Sequence, residues 1–246
     1  MRAVLFDLDD TLFDHQHCAR ASLQALHGRH RCLRERSFED VELAHAGLLE
    51  ELHHEVMLGR LDIDTARRER FRRLFLAAGE EASETLVRDA AAEYRRAYLT
   101  ARRAMAGAAA LLAHTRARAK IVILSNNVLE EQQNKLRHCG LDALVDALVV
   151  SEEEGISKPD PAIFVRALAR VASTPDAAVM VGDSWAADVA GARAAGIRAI
   201  WFNRHGLARP EPADDVVELR SFEPVEAALM TIFGPSHVPD VHAHRR

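Results

Sequence analysis

Five short apolar runs limit what this chain can fold into more strongly than any other feature of its sequence. They lie at residues 2–6, 121–124, 148–150, 179–181 and 200–202. Runs of this length are typical of strands that are buried on both faces of a parallel sheet. Helical patterns separate the later runs, and strands that alternate with helices predict an α/β fold. We therefore expect a doubly wound, Rossmann-like parallel sheet.

Signals for helix ends agree with this assignment. Asp160-Pro161 can begin a helix, because Asp caps an N-terminus and Pro fits the first turn. An alanine-rich segment at 186–195 predicts another helix, which ends at Gly196. Both helices directly follow segments that carry candidate functional residues.

The segment from 14 to 104 interrupts the alternation. It has no strand-like run, and it offers four helical patterns at 16–28, 38–58, 62–78 and 84–101. We predict an α/β core from residues 1–13 and 105–233, with an inserted helical cap domain at 14–104. Residues 234–246 are expected to form a disordered tail. The tail histidines could alternatively bind a metal; they are His237, His242 and His244.

Composition excludes some classes of protein. The formal net charge of -5 and the pI of about 6.2 argue against nucleic-acid binding, which usually needs a basic excess. The inserted segment is formally neutral, which gives no support to a polyanionic partner. No apolar run reaches the roughly 18 residues of a membrane span, and the 3 cysteines do not suggest a disulfide framework. We expect a cytoplasmic protein that does not act at a membrane; the sequence does not indicate its oligomeric state.

Acidic residues follow the first strand-like run directly. Asp7 and Asp9 lie just beyond its end, with Thr11 two residues further on. Ligands of parallel sheets bind beyond the carboxyl ends of strands, so one carboxylate could attack a substrate while the other transfers protons. Taken alone, the same acids could be a solvated loop.

Three further segments carry polar residues at strand ends or helix starts. Ser125 and Asn126 follow the run at 121–124, where a hydroxyl and free N–H groups suit a phosphate or a plain helix cap. Lys158, one of only 3 lysines, could neutralise a phosphate or be a solvated turn residue. Asp183 could complete a magnesium site with Asp7, or cap a helix. Asp188 could orient ligands or pair with Lys158, or be a surface acid.

The combination of these segments resembles the phosphatase branch of the haloacid dehalogenase-like hydrolase superfamily. Asp7, Asp9 and Thr11 match its first motif, and Ser125 matches its second. Lys158-Pro159 is similar to the third motif, and Gly182-Asp183 with Asp188 is similar to the fourth. The similarity covers residues 1–13 and 105–206 well, whereas 14–104 resembles the helical cap by position and pattern only. Many relatives have Gly where Asp10 stands.

The resemblance implies a role for each matched residue. Asp7 would be the nucleophile and Asp9 the acid–base partner. Mg²⁺ would be held by the carboxylates of Asp7 and Asp183 and by the backbone carbonyl of Asp9. The phosphoryl group would be held by Ser125, the backbone at Asn126, and Lys158. Thr11 and Asp188 would be supporting residues.

Several related activities share this scaffold. Asp9 favours phosphate chemistry over carbon–halogen hydrolysis, and the lack of lysine in 14–104 disfavours the phosphonate-cleaving relatives, which use a cap lysine. We expect a magnesium-dependent hydrolase of a small phosphate ester, since a cap favours small substrates. The segment 200–204 and Asp10 resemble the subgroup that acts on nucleoside monophosphates and sugar phosphates, which implies a substrate of that type. A sugar-phosphate mutase and a non-catalytic binding module remain alternatives.

Overall fold

The computed structural model describes residues 2–234, so all of the predicted tail beyond Gly234 lies outside the described residues. The strands are β1 Ala3–Phe6, β2 Lys120–Ser125, β3 Ala147–Val150, β4 Ala178–Gly182, β5 Arg198–Phe202 and β6 Val217–Leu219. The α-helices are α1 His15–Arg29, α2 Arg31–Arg34, α3 Phe38–Met57, α4 Ile63–Ala77, α5 Glu84–Thr100, α6 Ala108–Thr115, α7 Leu129–His138, α8 Ser151–Glu154, α9 Pro161–Ala169, α10 Ala190–Ala194 and α11 Val225–Phe233.

The strands form one parallel sheet with the order β3-β2-β1-β4-β5-β6. This confirms the predicted α/β class, and each of the five predicted strands is present. The strand β6 was not predicted, because three residues with one exposed and one half-buried side chain carry too little pattern. In the register, Phe6 of β1 lies opposite Ile123 of β2 and Val181 of β4. The carboxyl ends of these three neighbouring strands therefore lie at one edge of the sheet.

Contacts within the described residues divide the chain into two compact units. The core unit comprises 2–12, 104–125 and 140–234 and contains the whole sheet. One face of its sheet packs on α9, where Ile163, Phe164, Ala167 and Leu168 are buried as the helical pattern predicted. Asp160 caps this helix by accepting a hydrogen bond from the backbone N–H of Ala162 at 2.9 Å, and Pro161 stands in its first turn. The start signal found in the sequence is therefore confirmed.

The cap unit comprises 13–103 and 126–139. Its four long helices α1, α3, α4 and α5 confirm the four helical patterns. Side-chain caps explain where they begin: Ser37, Asp62 and Ser83 each accept a hydrogen bond from the first turn of the following helix. The predicted domain limits at 14 and 104 stay a prediction, and the structure adds α7 to the helical unit. This addition brings Lys135 into the unit, so the cap unit does contain a lysine.

Among residues 2–234, none of the helices is long and apolar enough to cross a membrane.

Candidate active site

Asp7 is anchored where β1 ends. Its backbone N–H donates to the carbonyl of Val181 at 3.0 Å, and its side chain is buried. The chain then turns, because the N–H of Leu12 donates to the carbonyl of Leu8 at 2.9 Å. Within this turn Asp9 is half-buried, and Asp10 has a φ of 62°. A left-handed backbone favours glycine, so Asp10 holds a conformation that is uncommon for a residue with a side chain.

Lys158 is the central cation of the site. It lies in the turn before α9 and is 4% exposed. Its Nζ donates to Asp7 Oδ1 at 2.6 Å and to Asp188 Oδ1 at 2.6 Å. Charge-assisted hydrogen bonds of this length are strong, so the ammonium is held firmly against the carboxylate of Asp7. The pairing of Lys158 with Asp188 is one of the three arrangements that the sequence suggested for Asp188.

Asp188 is carried by a π-helical turn, Trp185–Val189, which precedes α10. The N–H groups of Asp188 and Val189 both donate to the carbonyl of Ser184, at 2.9 and 3.2 Å. The predicted helix at 186–195 is thus present, but its first turn is wider than an α-helix, as is frequent at functional sites. Asp188 Oδ2 accepts from the N–H of Ser184 at 3.0 Å, which fixes the carboxylate.

The side chain of Asp188 lies so close to the backbone at position 182 that this position requires glycine. A Cβ at position 182 would lie 2.3 Å from Asp188 Oδ2 and 2.4 Å from its Cγ. Both atoms would overlap with any side chain, so only glycine leaves room for the carboxylate beside the end of β4.

Asp183 is held from two directions. Its backbone N–H donates to Thr11 Oγ1 at 3.1 Å, and the hydroxyl of Thr11 donates to Asp183 Oδ1 at 3.3 Å. Its carbonyl accepts from Trp201 Nε1 at 2.8 Å. Thr11 is fully buried, so its hydroxyl links the turn after β1 to the end of β4.

The site contains more carboxylates than cations to balance them. Oxygens of Asp7, Asp183 and Asp188 all lie within 4.8 Å of one another. Burial raises the pKa of Asp7 to about 7, against the charge of Lys158, which lowers it. Burial and the charge of Asp7 raise the pKa of Asp183 to about 9. Burial lowers the pKa of Lys158, but the charges of Asp188 and Asp7 outweigh it and leave the pKa raised. A hard divalent cation with oxygen ligands fits this donor set and its excess negative charge.

The remaining predicted residues lie at the end of β2. Ser125 is its last residue and is 2% exposed. Asn126 follows it in the chain and belongs to the cap unit, where its carbonyl lies 2.9 Å from Nε2 of His53. The phosphate-binding roles of Ser125 and Asn126 stay predictions.

Comparison with known proteins places the chain in a family. The profile of the haloacid dehalogenase-like hydrolases matches residues 1–196. The chain belongs to this family. It is therefore a hydrolase by family membership, and its parallel sheet and helical cap agree with the solved structures of the family.

Three similar proteins illustrate the range of this family. A phosphoserine phosphatase from Thermus thermophilus is 35% identical over 240 residues, which cover 89% of this chain and 95% of that protein. A glyceraldehyde 3-phosphate phosphatase from Pyrococcus furiosus is 27% identical and covers 82% of this chain and 80% of that protein. The HAD-hydrolase YfnB of Bacillus subtilis, solved with magnesium bound, has a TM-score of 0.72 at 26% identity over 93% of this chain and 98% of that chain. Dehalogenases also share the fold.

Two partners of the site were not predicted from the sequence. Trp201 donates to Asp183, as described above, and Arg204 donates to Asp10 Oδ1 at 2.9 Å. Arg204 and Asp10 are both mostly buried, and they lie 194 positions apart in the chain. The position of Arg204 just after β5 was the available signal, because the ends of neighbouring parallel strands share one edge.

Proposed function

We propose that this hydrolase is a magnesium-dependent phosphatase that forms an aspartyl-phosphate on Asp7. The observation that carries the proposal is the buried contact between Lys158 Nζ and Asp7 Oδ1 at 2.6 Å. A cation fixed beside a buried carboxylate favours its anionic, nucleophilic form, and it is also placed to neutralise a phosphoryl group that joins that carboxylate.

Two carboxylates carry the chemistry. In the first step Asp7 attacks phosphorus, the bond to the ester oxygen breaks, and the carboxylic acid of Asp9 donates a proton to the leaving alcohol. In the second step Asp9 accepts a proton from water as that water attacks phosphorus. The bond between Asp7 and phosphorus then breaks, which releases phosphate and restores both carboxyl groups.

The other residues bind and position. Lys158, the Ser125 hydroxyl and the backbone N–H of Asn126 hold phosphoryl oxygens. The carboxylates of Asp7 and Asp183 and the carbonyl of Asp9 would hold Mg²⁺, which when bound offsets the charge between the acids and the phosphate. Thr11 orients Asp183 and Asp188 orients Lys158; the hydrogen bonds between these side chains support both roles.

We infer that the substrate is a small phosphomonoester, of the nucleoside monophosphate or sugar phosphate type. Phosphatase names among the relatives support the reaction class, and the triose phosphate of one relative supports the size. Asp9 argues against a dehalogenase. The phosphonate-cleaving alternative is less firmly excluded than the sequence suggested, because Lys135 belongs to the cap unit. The three free cysteines are consistent with a reducing cytoplasm.

The test is phosphate release from a panel of esters. The panel contains p-nitrophenyl phosphate, nucleoside monophosphates, sugar phosphates, O-phospho-L-serine and, for the phosphonate alternative, phosphonoacetaldehyde. Each is measured with Mg²⁺, with EDTA, and with the variants Asp7→Asn and Asp142→Asn. We expect EDTA and Asp7→Asn to lower kcat/KM by at least about 10³-fold, since a nucleophile or its metal is lost. Asp142→Asn, on an exposed turn, should leave it unchanged.

Other outcomes assign other functions. Interconversion of glucose 1-phosphate and glucose 6-phosphate without net phosphate release would make the protein a mutase. Release of phosphate that survives Asp7→Asn would overturn the proposed nucleophile. A folded protein that binds esters but turns over none of them would be a binding module.

A further inference from the structure

The cap unit contains a cavity of about 120 Å³ that none of the proposed chemistry uses. All of its lining residues belong to the cap unit, on α1, α3, α4, α5 and α7 and in the turn before α7. Part of the wall is apolar, from side chains such as Leu49, Leu52, Val56 and Ile63. The rest includes aromatic, amide and charged side chains. A cavity with apolar walls and a few fixed polar groups is the usual form of a small-molecule site.

The charged part of the lining is strongly cationic. Arg67, Arg70, Arg95 and Lys135 line the cavity, and Glu131 is the acidic residue among the described lining. Glu131 already accepts hydrogen bonds from Arg67 at 2.7 Å and from Arg95 at 2.6 Å. Its negative charge is therefore taken up by two arginines, and Arg70 is left without a carboxylate partner in the lining.

Arg70 is buried in a manner that is unusual for an arginine. It is 7% exposed, and its guanidinium lies over the ring of Tyr94 at 4.9 Å and over that of Phe71 at 5.1 Å. Its Nε is buried and has no hydrogen-bond partner among residues 2–234. No ion pair joins the guanidinium to another described residue. The aromatic rings contact its faces, whereas hydrogen bonds lie in its plane, so the rings do not satisfy the Nε–H group.

The electrostatic surroundings make this burial unfavourable unless an anion binds. Burial lowers the pKa of Arg70, and the charge of Arg67 lowers it further, against the opposing effect of Tyr94. A guanidinium nevertheless stays protonated in proteins, so it needs an acceptor. The sequence signal for this residue is its place on the buried face of α4, one turn after Ala66 and one turn before Leu74.

We propose that the cap cavity binds a small organic carboxylate, with Arg70 donating two parallel hydrogen bonds to its oxygens. A planar carboxylate matches the guanidinium edge in two-point contact, and a planar ligand can share the space that the two rings define. The apolar wall of Leu49, Leu52 and Val56 suits the short carbon chain of such an acid better than it suits an inorganic ion. Two sources could supply this carboxylate, the phosphomonoester itself or a separate metabolite, and the experiments below distinguish them.

Direct binding tests the site without turnover. The full chain is titrated in EDTA with glycerate, lactate and succinate, and with glycerol, which has a hydroxymethyl group in place of the carboxylate of glycerate. We expect at least one acid to bind and glycerol not to bind. Arg70→Met should weaken the binding of that acid at least about tenfold. Arg70→Lys should do the same, because it keeps the charge but not the two-point geometry. Arg68→Met, an exposed arginine on the same helix, should bind like wild type.

A second measurement, which rests on the proposed function, identifies the source of the carboxylate. O-phospho-L-serine and O-phosphoethanolamine differ by one carboxylate, so the ratio of their kcat/KM values isolates its contribution. If the carboxylate belongs to the substrate, Arg70→Met lowers this ratio at least about tenfold. If it belongs to a separate metabolite, the ratio is unchanged while acid binding in EDTA is lost.

Two results would overturn the proposal. One is that neither acid binding nor the substrate ratio responds to Arg70→Met or Arg70→Lys in folded protein. The other is that inorganic phosphate, rather than any of the acids, binds in a manner that depends on Arg70. Absence of phosphatase activity alone would leave the binding titration intact, so failure of the proposed function is distinguishable.

Discussion

The two units of the molecule bury a positive charge in opposite ways. In the core unit, Lys158 is 4% exposed and donates to two carboxylates at 2.6 Å each. In the cap unit, Arg70 is 7% exposed, aromatic rings contact the faces of its guanidinium, and no carboxylate among residues 2–234 pairs with it. A paired buried charge holds its neighbours in place, whereas an unpaired one raises the free energy of the folded state until a ligand binds. The core unit thus has its buried cation already paired, whereas the buried cation of the cap unit is the group that we propose to bind a carboxylate.

The largest expected effect separates these two charges directly. Lys158→Met should lower the free energy of unfolding by about 3 kcal/mol, because it leaves Asp7 and Asp188 buried without their cation. It should also remove most phosphatase activity. Arg70→Met should either lower the free energy of unfolding by less than about 1 kcal/mol or raise it, because no carboxylate loses a partner. Urea denaturation of both variants in EDTA measures the difference. Equal destabilisation by the two substitutions would contradict the comparison.

A control for the lysine itself is available in the same unit. Lys120 is 43% exposed at its side chain and pairs with Asp146 at 2.7 Å. Lys120→Met should lower the free energy of unfolding by at most about 1 kcal/mol, as for other exposed ion pairs.

A second, smaller effect tests how tightly the core site is assembled. Gly182→Ala should destabilise the protein by about 2 kcal/mol, because its Cβ would overlap with the carboxylate of Asp188. The displaced Asp188 would also release Lys158, so kcat should fall. Gly47 is the matched control. It lies in α3, and apart from its chain neighbours and the adjacent backbone of that helix, no atom of the described residues lies within 4 Å of the position that an alanine methyl group would take. Gly47→Ala should raise the free energy of unfolding by about 0.5–1 kcal/mol, because alanine has a higher helix propensity than glycine. Thermal or urea unfolding of both variants tests the steric argument. An increase in stability from both substitutions would refute it.

The smallest predicted effect concerns the pH dependence of the cap unit. His45 is 3% exposed, and its ring lies 5.0 Å from that of Tyr94. Burial holds its pKa well below 6.5, and the charges of Arg70 and His15 lower it further. As pH falls below about 6.5, the unfolded chain takes up a proton on His45 that the folded state excludes, so stability falls. The loss should reach about 1 kcal/mol between pH 6.5 and 5.5.

The variant His45→Leu isolates this contribution. The difference in unfolding free energy between wild type and His45→Leu should change by that amount between pH 6.5 and 5.5. His114→Gln, on an exposed helix position, should show no such change. A pH-independent difference for His45→Leu would show that the folded state accommodates the protonated ring.

Much of the architecture could be predicted from local patterns. The buried strands β1 to β5 and the four long cap helices have periodicities and capping residues that act over a few positions, so they are visible in the sequence. The acids at strand ends could be selected for a related reason, since parallel strands place their carboxyl ends at one edge. Lys158 was selected from its place in a turn before a helix. Their order matched a known family, which the profile match then confirmed.

Other features depend on contacts between distant segments. The wide turn that carries Asp188 and the grouping of α7 with the cap helices leave no local pattern. The formally neutral insert likewise gave no sign of a cationic cavity, because net charge does not say which charges are paired.

The sequence by itself therefore determined the class of fold and the helical insert, and it supplied the residues that we propose for the chemistry. Only the tertiary structure decided the partners of the buried charges. Lys158 meets Asp7 across 151 positions, and Arg70 lies among aromatic rings while Arg67 and Arg95 share Glu131. The physical reason is that strand and helix signals are local, whereas compensation of a buried charge depends on which side chains the packed fold brings within a few ångströms.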